Sequence, residues 1–270
     1  MSILQSLSGI AAKLRRTNAS DLPAKAASRS RSLLPENQLV YAVGDIHGRD
    51  DLLGKLLIKI ERDAQNYEGL GKTIIFLGDY VDRGLMSKQV IDRLTSPFLE
   101  SFSKVFLKGN HEESLLQFLE NAHFGQTWKY YGGTETLHSY GINTLASANG
   151  AAEFEAVRQA FEHAFPRTHY EFLKRLQTHH EVGECFFVHA GVRPGVPLSE
   201  QNEHDLLWIR GEFLDFTGSF GKLIIHGHTP GSAPVIHNNR IGIDTGAYMT
   251  NVLTALILHR DGVRTLQTST

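Results

Sequence analysis

The chain has 270 residues, of which 41% are hydrophobic and 21% charged, and its formal net charge is -2. This length is sufficient for one large domain or two small ones with a sizeable core, and the composition excludes disorder of the whole chain. The nearly balanced charge gives no support to nonspecific nucleic-acid binding, so no nucleic-acid partner is expected. The single cysteine, Cys185, excludes an internal disulfide and a cysteine metal cluster, and its apolar neighbours predict a buried thiol.

Residues 1–36 differ in composition from the rest of the chain. Apolar residues between Ile3 and Leu14 could line one face of a helix, and small or basic residues then dominate. We interpret this segment as a flexible basic leader, with peripheral membrane contact through residues 1–16 as the alternative. No stretch of the sequence approaches the roughly 20 apolar residues of a membrane span, and the basic residues follow the apolar ones, unlike in a signal peptide. The sequence therefore predicts a cytoplasmic protein with one domain at residues 37–270.

From residue 38 onward, apolar runs typical of strands end in polar clusters that contain glycine. In chain order these are LVYAV before GDIHG (44–48), TIIFL before GDYVDRG (78–84), KVFL before GNHE (109–112), CFFV before HAG (189–191) and LII before HGHTP (226–230). Helix-like stretches at 51–62 and 88–94 separate the first three, which predicts β-α-β-α-β, and the tail returns to strands at 241–244 and 251–259. Such a sheet flanked by helices carries its site in the loops at the carboxyl ends of the strands.

Residues 111–180 interrupt the series of strands. Their pattern is mainly helical, with a middle that is rich in histidine and contains glycine, so we predict a helical insertion or cap within the same domain. Its stretch WKYYGGTETL is expected to roof the site. Trp128, Tyr130 and Tyr131 in this stretch either contact the substrate or pack the cap onto the core, and both alternatives stay open.

The polar clusters are rich in residues that bind metal ions. They contain Asp45, His47, Asp79, Asn110, His111, His189, His226 and His228. Oxygen and imidazole ligands without thiolate suit hard or borderline divalent ions. Residues i and i+2 of an extended strand end point the same way, so Asp45 and His47 can converge on one ion, and Asp79 could bridge that ion to a second. A turn aspartate or a hydrogen-bonded core histidine explains any one cluster, but not the same arrangement at five successive strand ends.

In this order, GDIHG, GDYVDRG, GNHE, HAG and GHTP resemble the metallophosphoesterase signature of the phosphoprotein phosphatase family, in its short bacterial and phage branch. The resemblance extends over residues 38–260 and includes LLWIR at 206–210 and IDTGA at 243–247. It implies an α/β fold with a metallophosphoesterase-type β-sandwich core, flanking helices and the cap. It also implies two divalent metal ions, with Mn preferred and Fe, Zn or Mg as alternatives.

The resemblance assigns ligands to the two ions residue by residue. The first ion would be bound by Asp45, His47 and Asp79, and the second by Asp79, Asn110, His189 and His228. Arg83 and Arg210 match the arginines that clamp phosphate, whose planar forks suit phosphate oxygens, and Asn110 is counted with them at the phosphate. His226 matches no ligand of the family and is predicted to pack near the ligands.

The resemblance also implies a mechanism of direct hydrolysis. Two metal ions lower the pKa of a water between them and make hydroxide available for in-line attack on phosphorus. His111 would act as the general acid that protonates the leaving oxygen, and Asp82 would pair with it and favour the imidazolium form. The implied activity is that of a serine/threonine protein phosphatase, with a phosphorylated protein or peptide as partner.

Two other functions are alternatives. One is a diadenosine polyphosphate hydrolase, a related enzyme that cuts phosphoanhydrides, and the other is a catalytically silent module that binds phosphate or phosphoprotein. Asp82 favours the ester-cleaving enzyme, since the hydrolase branch tends to replace this acid in a GDLVARG version, and a phosphoanhydride leaving group departs without much help. The silent module is disfavoured because every ligand position and both arginines, Arg83 and Arg210, are filled.

Overall fold

Strands pair into two five-stranded sheets in the part of the chain that the computed structural model describes, residues 32–144, 147–260 and 262–268. The strands are β1 (Gln38–Val43), β2 (Gly71–Phe76), β3 (Phe102–Phe106), β4 (His179–Val182), β5 (Cys185–Val188), β6 (Leu223–His226), β7 (Val235–Ile236), β8 (Arg240–Gly242), β9 (Thr254–His259) and β10 (Gly262–Gln267). The helices are α1 (Asp50–Ala64), α2 (Ser87–Thr95), α3 (Asn110–Glu120), α4 (Gly125–Tyr131), α5 (Gly133–Ser139), α6 (Ala151–Ala164), α7 (Arg167–Lys174), α8 (Glu203–Trp208), α9 (Gly211–Leu214) and α10 (Ala247–Thr250).

The order of the strands places the predicted loops together. The first sheet has the order β10-β9-β1-β2-β3, and the second has the order β4-β5-β6-β8-β7. β1, β2 and β3 run parallel, with Val43 beside Phe76 and Phe76 beside Phe106, and β5, β6 and β8 are also parallel. Because the carboxyl ends of parallel strands meet at one edge of a sheet, the loops after β1, β2 and β3 are neighbours, and so are those after β5 and β6.

Successive side chains of a strand point to opposite faces of its sheet, and in this way they fill separate apolar layers of the core. In β1, Val40 and Ala42 belong to the layer between the sheets, which also contains Phe187 of β5. Tyr41 and Val43 belong to the layer between the first sheet and the helices that cover it. A further layer lies between the second sheet and the helices α8 and α9. Two packed sheets with helices outside confirm the predicted metallophosphoesterase-type fold.

The predicted insertion forms a helical cap from α3 to α7, and it ends before residue 180 because β4 begins at His179. Its interior is aromatic. The ring of Trp128 lies 4.8 Å from that of Phe118 and 5.7 Å from that of Phe161. Trp128 is fully buried among these rings of the cap, and its Nε1 donates to Asp82 of the core at 3.0 Å, so it joins the cap to the core, whereas Tyr130 is 86% exposed.

The tail returns to strands, with differences from the prediction. β8 spans residues 240–242 instead of 241–244. β9 begins at Thr254 instead of residue 251, because α10 and a left-handed Asn251 with a φ of 60° precede it. β10 then pairs antiparallel with β9 at the end of the first sheet, and the sequence analysis did not predict it.

The contacts of the domain begin before residue 37. Leu34 is buried between the sheets, and the carbonyl of Leu33 accepts a hydrogen bond from the backbone N–H of Glu184 at 2.9 Å. The predicted end of the flexible leader at residue 36 is therefore too late. Residues 1–31, which include the segment considered for membrane contact, lie outside the described residues. In the described part of the chain, every helix is too short or too polar to cross a membrane.

Candidate metal centre

The loops meet around Asp79, and one half of the candidate site is a group of acceptor atoms around His189. The ring Nδ1 of His189 donates to the carbonyl of Leu77 at 2.9 Å, so its Nε2 carries a lone pair. That Nε2 lies 2.9 Å from Oδ1 of Asn110, 3.2 Å from Nδ1 of His228 and 3.4 Å from Oδ1 of Asp79. Oxygen and imidazole acceptors that converge in this way fit a divalent cation, and the backbone bond at Nδ1 is typical of a ligating histidine.

Nδ1 of His228 is the ring atom that faces the other acceptors of this half, at 3.2 Å from Nε2 of His189. Within the described residues, Nε2 of His228 is a buried side-chain atom without a hydrogen-bond partner. This nitrogen lies on the side of the ring away from the acceptor group, so Nδ1 is the atom that can ligate an ion shared with His189 and Asp79. Burial, followed by the charge of His189, lowers the pKa of His228 to about 2, which keeps the ring neutral and able to ligate. Ligand-type atoms of Asp79, His189 and His228 lie within 4.8 Å of one another.

The other half of the site is built around His47. Its Nδ1 donates to the carbonyl of Val81 at 2.9 Å, which leaves Nε2 to accept. That Nε2 faces Oδ2 of Asp79 at 3.4 Å and Nη1 of Arg83 at 3.1 Å. Ligand-type atoms of His47, Asp79 and His111 lie within 4.8 Å of one another. An acceptor pair beside the guanidinium of Arg83 suits a cation and a phosphate bound side by side.

Asp45 is the predicted ligand that lies least directly at this half. Its carboxylate accepts from the backbone N–H of His228 at 3.0 Å, and the group within 4.8 Å contains His111 in its place. Asp45 is nevertheless buried at the junction of the two halves. A Cβ at residue 227 would lie 2.0 Å from Oδ1 of Asp45, so Gly227 is what permits this close approach.

Buried carboxylates concentrate negative charge at the site. Burial, followed by repulsion from Asp244 and Asp79, raises the pKa of Asp45 well above its ordinary range. Burial also raises the pKa of Asp244 to about 6, although this residue accepts from the backbone N–H of Gly246 at 2.8 Å. Asp79 differs, because four nearby histidines outweigh the effect of burial and lower its pKa. An ionised Asp79, whose two oxygens face the two halves, is placed to bridge two cations.

His111 and Asp82, predicted as the acid and its partner, form a buried pair. Nδ1 of His111 lies 2.7 Å from Oδ2 of Asp82, and its Nε2 lies 3.8 Å from Oδ2 of Asp79. Burial lowers the pKa of His111, but Asp79 and Asp82 outweigh it, and the net shift is upward. Asp82 also accepts from Nε1 of Trp128 at 3.0 Å and from Oγ1 of Thr136 at 2.7 Å. Two cap residues thus hold the carboxylate that orients His111.

Glu112 is a buried residue of the site that the sequence analysis missed. Its carboxylate accepts from the backbone N–H groups of Asp79 at 2.9 Å, Tyr80 at 2.8 Å and Gly109 at 2.9 Å. It therefore ties the loop after β2 to the start of α3. Burial, followed by the charge of Asp79, raises its pKa to about 7. The sequence did contain a signal for this role, because a glutamate three residues after Gly109, at the start of α3, occupies a capping-box position.

The loops hold unusual backbone conformations at the site itself. Seven described residues other than glycine have a positive φ, and five of them are site residues: His47, Asp79, Asp82, Arg83 and His228. Such conformations cost about 1–3 kcal/mol each and persist only where the surroundings fix them. The residue types gave no sign of them, because none of the five requires a left-handed backbone.

The two predicted phosphate-binding arginines lie at the edges of the two halves. The guanidinium of Arg83 contacts His47 and lies 4.9 Å from the ring centre of Tyr248. Arg210 is exposed, and its Nη1 lies 3.1 Å from Oγ1 of Thr229, next to His228 in the chain. The site therefore presents one positive side chain on each side of Asp79.

His226 stands outside the ligand groups within the described residues, as predicted. Its ring packs edge-on against Phe213 at 4.9 Å, and its Nδ1 donates to the carbonyl of Gly227 at 3.0 Å. Burial lowers its pKa to about 4. It packs behind the loop that carries His228.

The family model of the calcineurin-like phosphoesterases matches residues 39–232. The match spans more than half of the chain, so the protein belongs to this family of metal-dependent hydrolases, as the motifs predicted. A dinuclear divalent-metal site is characteristic of the family, and the two halves described above fit such a site.

The chain is also similar to individual members. It is 26% identical over 235 residues to the bis(5'-nucleosyl)-tetraphosphatase PrpE (asymmetrical) of Oceanobacillus iheyensis, with 79% of this chain and 86% of the relative covered. It is 28% identical over 239 residues to the PrpE of Anoxybacillus flavithermus, with 79% and 88% covered.

Solved structures show the same fold. A candidate diadenosine tetraphosphatase superimposes with a TM-score of 0.58 at 18% identity, covering 87% of this chain and 96% of that one. The cold-active protein-tyrosine phosphatase of a Shewanella species superimposes with a TM-score of 0.54 at 16% identity, covering 92% and 87%. At these identities the structures support the fold alone.

Proposed function

We propose that the protein hydrolyses dinucleoside tetraphosphates asymmetrically, releasing a nucleoside triphosphate and a nucleoside monophosphate. This replaces the phosphoprotein substrate that the sequence analysis preferred. The proposal rests on the relatives in Oceanobacillus iheyensis and Anoxybacillus flavithermus, which are both named bis(5'-nucleosyl)-tetraphosphatase (asymmetrical). The similarity covers 86% and 88% of these two relatives. Similarity over nearly the whole relative supports a common substrate class.

The ligand atoms of the site support two divalent ions for this activity. The residues that would hold them are Asp45, His47, Asp79, Asn110, His189 and His228. Two ions bound there would supply a water of lowered pKa and would offset charge on the phosphoryl oxygens. We propose Mn, with Fe, Zn or Mg as alternatives, because imidazole combined with carboxylate and amide oxygens suits hard and borderline ions. Elemental analysis of the purified protein measures both the identity and the number of ions.

The two arginines fit a polyphosphate. Arg83 lies on the His47 side and Arg210 on the His228 side, so together they can hold oxygens of neighbouring phosphates. A dinucleoside tetraphosphate offers several adjacent phosphates, whereas a phosphomonoester offers one. The role of the arginines here is to orient the chain of phosphates and to offset its charge.

Hydrolysis of phosphomonoesters is the second candidate, and the pair of His111 and Asp82 favours it. The pair is buried, and its two atoms lie 2.7 Å apart. A positioned acid assists an alkoxide leaving group much more than a phosphoanhydride leaving group. We therefore propose ester cleavage as a secondary activity of the same site.

A direct comparison of substrates tests the proposal. The Mn-loaded enzyme is assayed on diadenosine tetraphosphate and on a phosphoserine peptide, with products separated by chromatography. We expect higher kcat/KM on diadenosine tetraphosphate, with ATP and AMP as products and Asp79→Asn as the inactive control. Two molecules of ADP, or faster hydrolysis of the peptide, would contradict the proposal.

A further inference from the structure

Two aromatic side chains stand at the opening of the site on either side of the boundary between cap and core. Tyr131 ends α4 in the cap, and Trp208 ends α8 in the core; we call this pair the aromatic wall. Their ring centroids are 5.6 Å apart. Tyr131 lies 6.1 Å from the ring of His111, and Trp208 lies 6.4 Å from the ring of His228. The aromatic wall therefore lies beside His111 and His228 of the candidate site.

The wall is held in position while part of its surface remains accessible. Nε1 of Trp208 donates to Oε2 of Glu113 at 2.6 Å, which fixes the plane of the indole. Tyr131 is followed by Gly132, whose left-handed φ of 99° ends α4. Both wall residues are only partly buried, in contrast to the fully buried Trp128. Aromatic rings that are held in place and partly exposed offer a surface for stacking at low entropic cost.

Each ring of the wall is linked to one of the two arginines. The carbonyl of Gly132, next to Tyr131, accepts from the backbone N–H of Arg83 at 3.1 Å. Arg210 follows Trp208 by two residues. An aromatic surface whose two residues are each linked to a predicted phosphate-binding arginine matches a ligand that carries an aromatic ring a short distance from its phosphates.

We infer that the aromatic wall binds a nucleobase of the substrate by stacking. The inference rests on the proposed function and adds to it the side chains that recognise the nucleoside. Every base has a π-face, so stacking accepts any base, and the larger face of a purine should bind more tightly than a pyrimidine. The wall thus accounts for recognition of the nucleoside, and the ions and arginines for recognition of the phosphates.

The variant Tyr131→Leu removes the aromatic face and keeps an apolar side chain. We expect the KM for diadenosine tetraphosphate to rise roughly 5- to 150-fold, which is the range for loss of one base-aromatic stack. We expect kcat to change little, because stacking is made equally in the ground state and the transition state. The Ki of inorganic tetraphosphate, which has no base, should stay at the wild-type value. Tyr131→Phe, which keeps the ring, should restore the KM.

Binding without turnover gives an independent measurement. Calorimetry yields the Kd of AMP and the Kd of inorganic phosphate for the Mn-loaded enzyme. The wall should make AMP bind more tightly than phosphate in the wild type, and Tyr131→Leu or Trp208→Leu should bring the two values together. Using both variants keeps the test decisive if one of them folds poorly, which circular dichroism reports.

Tyr67→Leu is the matched control. Tyr67 is also partly buried and packs against a histidine, with its ring 5.4 Å from that of His259, but it precedes β2 at the end of the sheet opposite the site. Its removal should leave both Kd values unchanged. Equal losses of AMP and phosphate binding in Tyr131→Leu, or no loss of either, would overturn the role of the wall. Absence of hydrolysis of diadenosine tetraphosphate by the wild type would instead overturn the proposed function.

Discussion

The strand-end loops of the core and the helices of the cap contribute different groups to one site. Ligand-type atoms come from the core loops and the start of α3, where backbone groups fix them, as the carbonyl of Leu77 fixes His189. The cap contributes Trp128 and Thr136, which hold Asp82, and it carries Tyr131 at the opening. The core loops and the start of α3 therefore determine which ions and phosphates can bind, whereas the rest of the cap determines how the acid pair is oriented and what surrounds the substrate.

The largest effect is expected from the core, at Asp79, because its two oxygens face both halves of the site. Asp79→Asn keeps the shape of the side chain and removes its charge. We expect loss of both ions and a fall in kcat beyond the roughly 10- to 100-fold that follows loss of a supporting partner. Elemental analysis and turnover measure the two effects. Asp45→Asn should release one ion only, and an Asp79→Asn protein that keeps two ions would refute the bridging assignment.

A smaller effect, and a selective one, is expected where core and cap meet, at His111. His111→Asn should lower turnover on an alkyl phosphate by about 10²- to 10⁴-fold, the usual contribution of a positioned acid. Turnover on diadenosine tetraphosphate and on nitrophenyl phosphate should fall much less, because their leaving groups hardly need a proton. Equal losses on all three substrates would show that His111 acts through the ligands around Asp79, 3.8 Å away, instead of as an acid.

A change confined to the cap should affect the acid pair without affecting the ions. Trp128→Phe removes the 3.0 Å hydrogen bond to Asp82 and keeps an aromatic ring against Phe118 and Phe161. We expect a loss of about 1–3 kcal/mol of stability, typical of a lost hydrogen bond to a charged group. Turnover on an alkyl phosphate should fall less than in His111→Asn, and the metal content should stay unchanged. Release of an ion by this variant would mean that the cap also supports the metal centre.

The same contrast explains what could be predicted from the sequence. The ends of parallel strands share one edge, so the pattern of strand and polar cluster is enough to bring the loops of His47 and Asp79 together, whereas the left-handed His47 and the bond from Asp45 to the backbone of His228 were not predicted. The contacts of Asp82 with Trp128 and Thr136 span 46 and 54 residues and follow from no local pattern. The left-handed backbone of the ligand loops could not be predicted from the sequence either, since contacts with the surrounding structure hold it in place.

The comparisons favour the alternative substrate class over the phosphoprotein that was preferred from the sequence, and the reason lies in Asp82. From the sequence alone, Asp82 favours a substrate with a poor leaving group, because a paired acid assists ester cleavage. In the structure the same carboxylate also accepts from Trp128 and Thr136, so it has a second role in holding the cap. The acid pair therefore fits ester cleavage as a secondary activity, and the similarity to PrpE proteins carries more weight for the preferred substrate.

The smallest expected effect is a pH dependence of stability in the cap. His169 of α7 accepts from the hydroxyl of Tyr140 at 2.8 Å through Nδ1, and its Nε2 donates to Oδ1 of Asp92 at 3.0 Å. Burial lowers the pKa of His169 although Asp92 opposes the shift. The unfolded chain therefore binds more protons than the folded one just below the ordinary histidine pKa of about 6.5, and stability falls as the pH drops through this range.

The slope of Tm against pH measures this contribution. Between about pH 7.5 and 5.5 the Tm of the wild type should decrease more steeply than that of His169→Gln, whose side chain cannot gain a proton. His163→Gln is the matched control, because His163 is an exposed histidine of α6, and its slope should equal that of the wild type. If His169→Gln kept the wild-type slope, protonation of this buried link between cap and core would contribute nothing, and the acid sensitivity would have to arise among the carboxylates and histidines of the core.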